Sequence, residues 1–174
     1  IWTILIGLPV LAIVAFGVLQ PVKVRPRMGL APGYVLNNQD GARMTSEDMR
    51  GALTVYNFTY SNCGETCAAA ETTMQQIQAL SKQWDTAGLP LNLITITLDP
   101  ARDDPEVLRT YAERLGADPA HWRFLTGASD RVKDVVGGGF SVYYNAGEDG
   151  QLKFDPLFVL VDGNGIVRAR YDTL

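Results

Sequence analysis

The most reactive groups in this chain of 174 residues are two thiols, Cys63 and Cys67, its only cysteines, in the stretch FTYSNCGETCAAAETT (58–73). On a helical turn residues four apart share a face. Their Cα atoms would lie about 6 Å apart, inside the range a disulfide bridges. The same convergence lets two thiolates grip one soft cation such as Cu(I). A helix N-terminus, with unpaired N–H groups and partial positive charge, favours thiolate, and Glu65 opposes it by repulsion. As a structural staple the pair is weak, because closing so small a ring restrains the unfolded chain little. A redox couple and a copper clamp stay open side by side.

The elements around the pair can be read from composition and period. LTVYNFTY (53–60) is β-branched and aromatic, a buried-strand composition. From 65 to 84 the period changes: Ala70, Met74, Ile77, Leu80 and Trp84 recur every three or four residues, predicting an amphipathic helix. LNLITITLD (91–99) is apolar on both faces, as parallel strands are. Asp104, Pro105 and Glu106 supply a cap, a first-turn proline and a first-turn acid for the next helix, whose inward face would be Val107, Leu108, Tyr111 and Leu115. YVLNNQDGARMT reads as two strands about Asp40 and Gly41, and WRFLTG as another. Ser129 or Asp130 opens a helix that Gly137, Gly138 and Gly139 end; FSVYY, FVLVD and IVRARY are further strands, the last two joined by DGNG. The order β-β-β-α-β-α-β-α-β-β-β predicts an α/β fold, a mixed sheet flanked by helices. In such sheets chemistry gathers at the carboxyl ends of strands beside helix N-termini, and the cysteines follow the strand ending near Tyr60.

Residues 1–20, IWTILIGLPVLAIVAFGVLQ, carry no charge and as a helix would span about 30 Å, a bilayer's hydrocarbon thickness. They are expected to be an uncleaved transmembrane anchor, since a signal peptide's apolar region is shorter and precedes a small-residue cleavage site. Residues 21–33 form a linker and 34–174 the domain. The net charge is −4; with Lys23, Arg25 and Arg27 set aside, twelve basic residues face nineteen acidic ones, a balance of −7. So acidic a domain, without a basic stripe, argues against a nucleic-acid partner. The basic collar is expected to touch lipid headgroups, and the positive-inside tendency alone would place it in the cytoplasm.

With these residues in view, the chain resembles the Sco/SenC family of thioredoxin-fold, membrane-anchored proteins linked to cytochrome c oxidase assembly. The likeness rests on NFTYSNCGETC, LDPARDDPEVLRTY (98–111), WRFLTG (122–127) and VLVDGNG, and runs from about residue 34 to the end. It implies a thioredoxin-like fold, dithiol–disulfide exchange at Cys63 and Cys67 with Cys63 attacking, and a domain tethered outside the cytoplasmic membrane. The implied partner is the copper centre of a respiratory oxidase, or another respiratory complex. If the chain is an enzyme, it would be a thiol–disulfide oxidoreductase. A non-catalytic accessory subunit of a respiratory complex is a further reading.

The chain departs from the family pattern at Gly64 and Ala68, where the family usually has proline, and the sequence stops at Leu174, where the family usually continues into a further helix. Copper binding in the family uses both cysteines and a histidine. The corresponding position, eight residues before Asp162, is Phe154, and the single histidine is His121, expected at the surface. No required cofactor is expected, with Cu(I) held by Cys63 and Cys67 as the alternative. FDPLFVLVDGNG also resembles the segment that thioredoxin-type reductases set opposite their cysteines, which implies a cis Pro156 facing the pair and a partner groove shaped by Asp155 and Pro156. A peroxiredoxin would carry threonine three residues before its cysteine, where Tyr60 stands. Asp99, Asp103 and Asp104 are expected to be a strand end and a helix cap rather than a hard-metal cluster.

Overall fold

In the computed structural model of the chain, residues 29–172 are described, apart from 82, 85, 87, 148 and 149. The expected anchor (1–20) and most of the linker lie outside the described residues. Among those described, no helix is long and apolar enough to cross a membrane.

Among the described residues nine strands form: β1 (Val35–Asn38), β2 (Arg43–Thr45), β3 (Leu53–Thr59), β4 (Leu91–Thr97), β5 (Trp122–Thr126), β6 (Tyr144–Ala146), β7 (Leu152–Phe154), β8 (Leu157–Val161) and β9 (Val167–Asp172). Seven of them make one sheet in the order β2-β1-β5-β4-β3-β8-β9, while β6 and β7 pair separately as a hairpin. Strands β3, β4 and β5 run parallel, and β1, β8 and β9 pair antiparallel with their neighbours. The sheet is mixed, as the element order predicts.

Each face carries its own core. On one face α1 (Glu65–Ser81) and α2 (Pro105–Arg114) bury Met74, Leu108 and Tyr111 against Leu93, Trp122 and Phe124. On the other, α3 (Ser129–Lys133) and the π-helical turn that continues it to Gly139 bury Val132, Val135 and Val136 against Tyr56, Phe58 and Ile96. Both central strands are buried on two faces, which is why β3 and β4 carry aliphatic, aromatic and β-branched residues on both. The α2 cap is as expected: Asp104 accepts the Val107 N–H at 2.9 Å, with Pro105 in the first turn.

Three expectations are corrected. First, α1 ends at Ser81, so the apolar spacing that continues to Trp84 is not a buried stripe: Leu80 and Trp84 are each 46% exposed. Secondly, Gly137–Gly139 do not end α3 but lie inside its π-helical extension, which closes when Phe140 N–H bonds the Val135 carbonyl and Ser141 turns to φ 57°. Thirdly, FSVYY is therefore no strand at its start. Phe140 and Val142 are buried in the core instead, and pairing begins only at Tyr144, with β7.

Candidate functional site

The first turn of α1 stands at the carboxyl rim of β3 and β4. Helix α1 opens at Glu65, so Cys67 lies in its first turn and Cys63 just ahead of it. The two are joined in a disulfide with Cα atoms 5.7 Å apart, the separation expected of residues on one helical face. Gly64, between them, takes φ +62°, a backbone conformation strained for any side chain. Cys63 is 4% exposed and Cys67 fully buried, both within the apolar core that α3 covers. The pair thus sits over one face while the rest of α1 packs on the other.

Two residues just before Cys63 fasten this loop. Ser61 donates its backbone N–H to the Asp103 carboxylate at 3.0 Å and its hydroxyl to the other oxygen. Thr97, at the end of β4, donates its hydroxyl to the same carboxylate, and the Asp103 carbonyl accepts from Thr126 at 2.6 Å. Asp103 is 1% exposed, a buried carboxylate that meets three donors. It ties the loop to β4, and through its carbonyl to β5. Tyr60, equally buried, donates its hydroxyl to Gln151 Oε1 at 2.8 Å and accepts the Leu152 N–H at 3.0 Å. Its ring meets Phe154 edge-on at 6.3 Å. Tyr60 therefore holds the β6–β7 hairpin against the rim. Further along the hairpin, burial and then the Asp99 carboxylate raise the Tyr144 phenol above its ordinary pKa.

The other candidates fall as follows. Asp99 pairs with Arg102 at 3.2 Å and Asp104 caps α2, so with Asp103 the three carboxylates do three separate jobs. Among the described residues no group of three or more His, Cys, Asp or Glu is gathered as for a metal ion. His121 is exposed at the opposite rim: Trp122 pairs with Leu93, which pairs with Val55 near the start of β3. At ~3.3 Å per residue this leaves His121 about 20 Å from the cysteines along the strands. Phe154 packs against the core that contains the pair.

Pro156 requires a correction. No peptide bond among the described residues is cis, so Pro156 is trans. It directly precedes β8, a position where a strand needs no N–H and proline is tolerated. Pro156 and Asp155 nonetheless lie at the cysteine rim, one and two steps beyond the level of Phe58 when the β3–β8 register is continued.

Ser61, Asp103 and Gln151 were not legible as site residues in the sequence. Ser61 and Asp103 are 42 positions apart, and Tyr60 and Gln151 are 91 apart. The only local signal was that polar Ser61 and Asn62 interrupt an apolar run directly before a cysteine.

A parallel β3-β4-β5 core, an antiparallel β8-β9 edge and a Cys-x-x-x-Cys disulfide where β3 meets α1 define a thioredoxin-like disulfide domain. Within that class the SCO1/SenC family model matches residues 23–174, and the chain belongs to that family. The SCO2-like protein of Rickettsia prowazekii is 30% identical over 140 residues, covering 76% of this chain and 64% of that protein, so the chain spans just under two thirds of that relative. A SCO1/SenC family lipoprotein from Bacillus anthracis superposes with TM-score 0.76 at 25% identity, over 85% of this chain and 88% of that one. BsSco, a member of the Sco family of cytochrome c oxidase assembly proteins with an identified disulfide switch, shares the fold: TM-score 0.74, 21% identity, 87% and 88% coverage. Yeast Sco1 with copper bound gives TM-score 0.67 at 27% identity, over 83% and 82%.

Proposed function

We propose that this chain exchanges disulfides through Cys63 and Cys67 in the assembly of a respiratory oxidase copper centre. The observation that carries the reading is the buried disulfide at the rim where β3 meets the N-terminus of α1. In the reducing direction a partner's thiolate attacks one sulfur, the Cys63–Cys67 bond breaks, and the displaced sulfur leaves as a thiolate. The partner's second thiol then resolves the mixed disulfide, so the partner is oxidised and both cysteines are reduced. The helix N-terminus favours the displaced thiolate. Cys63, the less buried of the two, is the sulfur we assign to attack in the reverse direction. Family membership supports the oxidase context, since BsSco is a cytochrome c oxidase assembly protein with a disulfide switch.

Titration of the full chain in thiol redox buffers tests this. The expected result is one reversible two-electron couple, abolished by Cys63→Ser or Cys67→Ser. A disulfide that resists excess dithiol until the fold unfolds would refute it.

A second reading, Cu(I) as cargo delivered by the two reduced thiolates, is favoured by the copper-bound structure of yeast Sco1. Two thiolates suit a soft cation in a linear site, and the described residues offer no clustered third ligand. Tight one-to-one Cu(I) binding by the reduced chain, lost in Cys63→Ser, would favour delivery over exchange.

We place the domain on the extracytoplasmic side of a membrane, tethered by residues 1–20. The described chain starts at the rim opposite the cysteines: Leu30 bridges Ile166, and the Ala31 N–H bonds the Gly165 carbonyl in the β8–β9 turn. A tether entering there would leave the disulfide facing away from the bilayer. A reporter enzyme active only in the cytoplasm, fused after Leu174, tests the topology, and activity would overturn it.

A further inference from the structure

Both cysteines are almost wholly buried, so exchange needs something at the rim to move. The candidate is the β6–β7 hairpin, which among the described residues pairs with no strand of the main sheet. Its two strands are three residues each and half-exposed. Tyr144, Leu152 and Phe154 pack against the core that holds the cysteines, and Leu157, just after the hairpin, joins them. A hairpin this short has little stability of its own. The hydrogen bonds of the Tyr60 hydroxyl to Gln151 and to the Leu152 N–H fix it from the β3 side, only three residues ahead of Cys63.

We propose that Tyr60 is a positioning residue that latches the β6–β7 hairpin over the rim, so that a partner's thiolate reaches the disulfide when this latch lets go. The proposal rests on the exchange reading above and adds the residue that sets access to the disulfide. A small thiol and a protein partner would both need the open form, because both cysteines are almost wholly buried in the closed one. Sequence spacing cannot show this, since the latch links positions 91 residues apart.

The test uses Tyr60→Phe in the full chain, which keeps the ring against Phe154 and deletes both hydrogen bonds. Two quantities are measured: amide hydrogen exchange along the hairpin, including Leu152, and the rate at which excess dithiothreitol reduces the disulfide. Both should rise about ten-fold, equivalent to ~1.4 kcal/mol. Amides of β3 and β4 should stay protected, and the equilibrium between oxidised and reduced chain should move less than two-fold. Faster hairpin exchange with an unchanged reduction rate would overturn the gating role; no change in either would overturn the latch. Gln151→Ala, on the hairpin itself, guards against a Tyr60 variant that loosens the whole core. It should raise both quantities about three-fold, and the absence of any rise would also overturn the latch. If dithiothreitol fails to reduce the wild-type chain, the exchange reading falls, while hairpin hydrogen exchange still decides whether Tyr60 holds the hairpin.

Discussion

Asp103 offers the sharpest test of how the cysteine loop is held. Its buried carboxylate accepts the Ser61 N–H, the Ser61 hydroxyl and the Thr97 hydroxyl. Asp103→Ala removes the acceptor of all three hydrogen bonds but leaves the backbone carbonyl that Thr126 uses. Hydrogen bonds to a charged group contribute about 1.5–3 kcal/mol each, and stranding a buried donor costs about 1–3 kcal/mol. Ser61 is only half-buried and water can reach its donors, so most of the loss falls on Thr97, which is 1% exposed. The sum is about 4 kcal/mol, a large part of the roughly 5–15 kcal/mol that keeps a domain folded. Asp103→Asn, which keeps an acceptor oxygen but sets an NH2 against a donor, should cost about 2 kcal/mol. Ser61→Ala should cost about 1 kcal/mol, and the Ser61→Ala/Asp103→Ala pair should show a coupling of about 1.5 kcal/mol. Urea unfolding of the oxidised chain, followed by far-UV circular dichroism, measures all four. A loss below 1 kcal/mol for Asp103→Ala, or no coupling with Ser61, would refute the claim that this carboxylate anchors the loop.

Further outcomes are expected. The disulfide closes a loop of only five residues (sequence separation 4). Loop entropy gives about 2 kcal/mol for it, so reduction should lower the unfolding free energy by about that much, and a reduced form as stable as the oxidised one would contradict this. Phe154→His, in the reduced chain, should raise Cu(I) affinity at least about ten-fold by competition with a Cu(I) chelator if residue 154 can complete a site with two thiolates; no change would count against that placement. At Asp162, burial acts to raise the carboxyl pKa, but the Ile166 N–H, the Arg168 guanidinium and the Asn164 N–H outweigh it and hold the value below the usual range. Its stabilisation is therefore present above the unfolded pKa of about 3.9 and fades as pH falls through the lower folded value. Asp162→Asn should cost about 2 kcal/mol at neutral pH, with the difference from wild type disappearing in acid, as denaturation midpoints across pH would show.

The sequence by itself determined the sheet and the location of the sulfurs. Residues 53–60 and 91–99 read as strands because central parallel strands are buried on both faces and so carry β-branched, aromatic and aliphatic residues on both. The start of α2 was legible because a cap is local: Asp104 meets a donor three residues on. The cysteine spacing anticipated a separation a disulfide can bridge, and the 5.7 Å found agrees, although Cys63 lies just ahead of α1 and Gly64 between the two takes φ +62°. Where local pattern misled, contacts from elsewhere prevailed. Leu80, in the last turn of α1, and Trp84, beyond its end, keep helical spacing yet stay exposed, and Phe140 and Val142 fill core positions instead of extending a strand. Pro156 resembles a cis proline in its motif, yet it only precedes β8. Tertiary structure alone decided what surrounds the disulfide: Asp103 beneath the Ser61 loop, Tyr60 on the hairpin, and His121 at the far rim. These arrangements are made by single hydroxyls and carboxylates reaching across 40 to 90 positions. No periodicity records such contacts, because each depends on which strand ends the fold brings together.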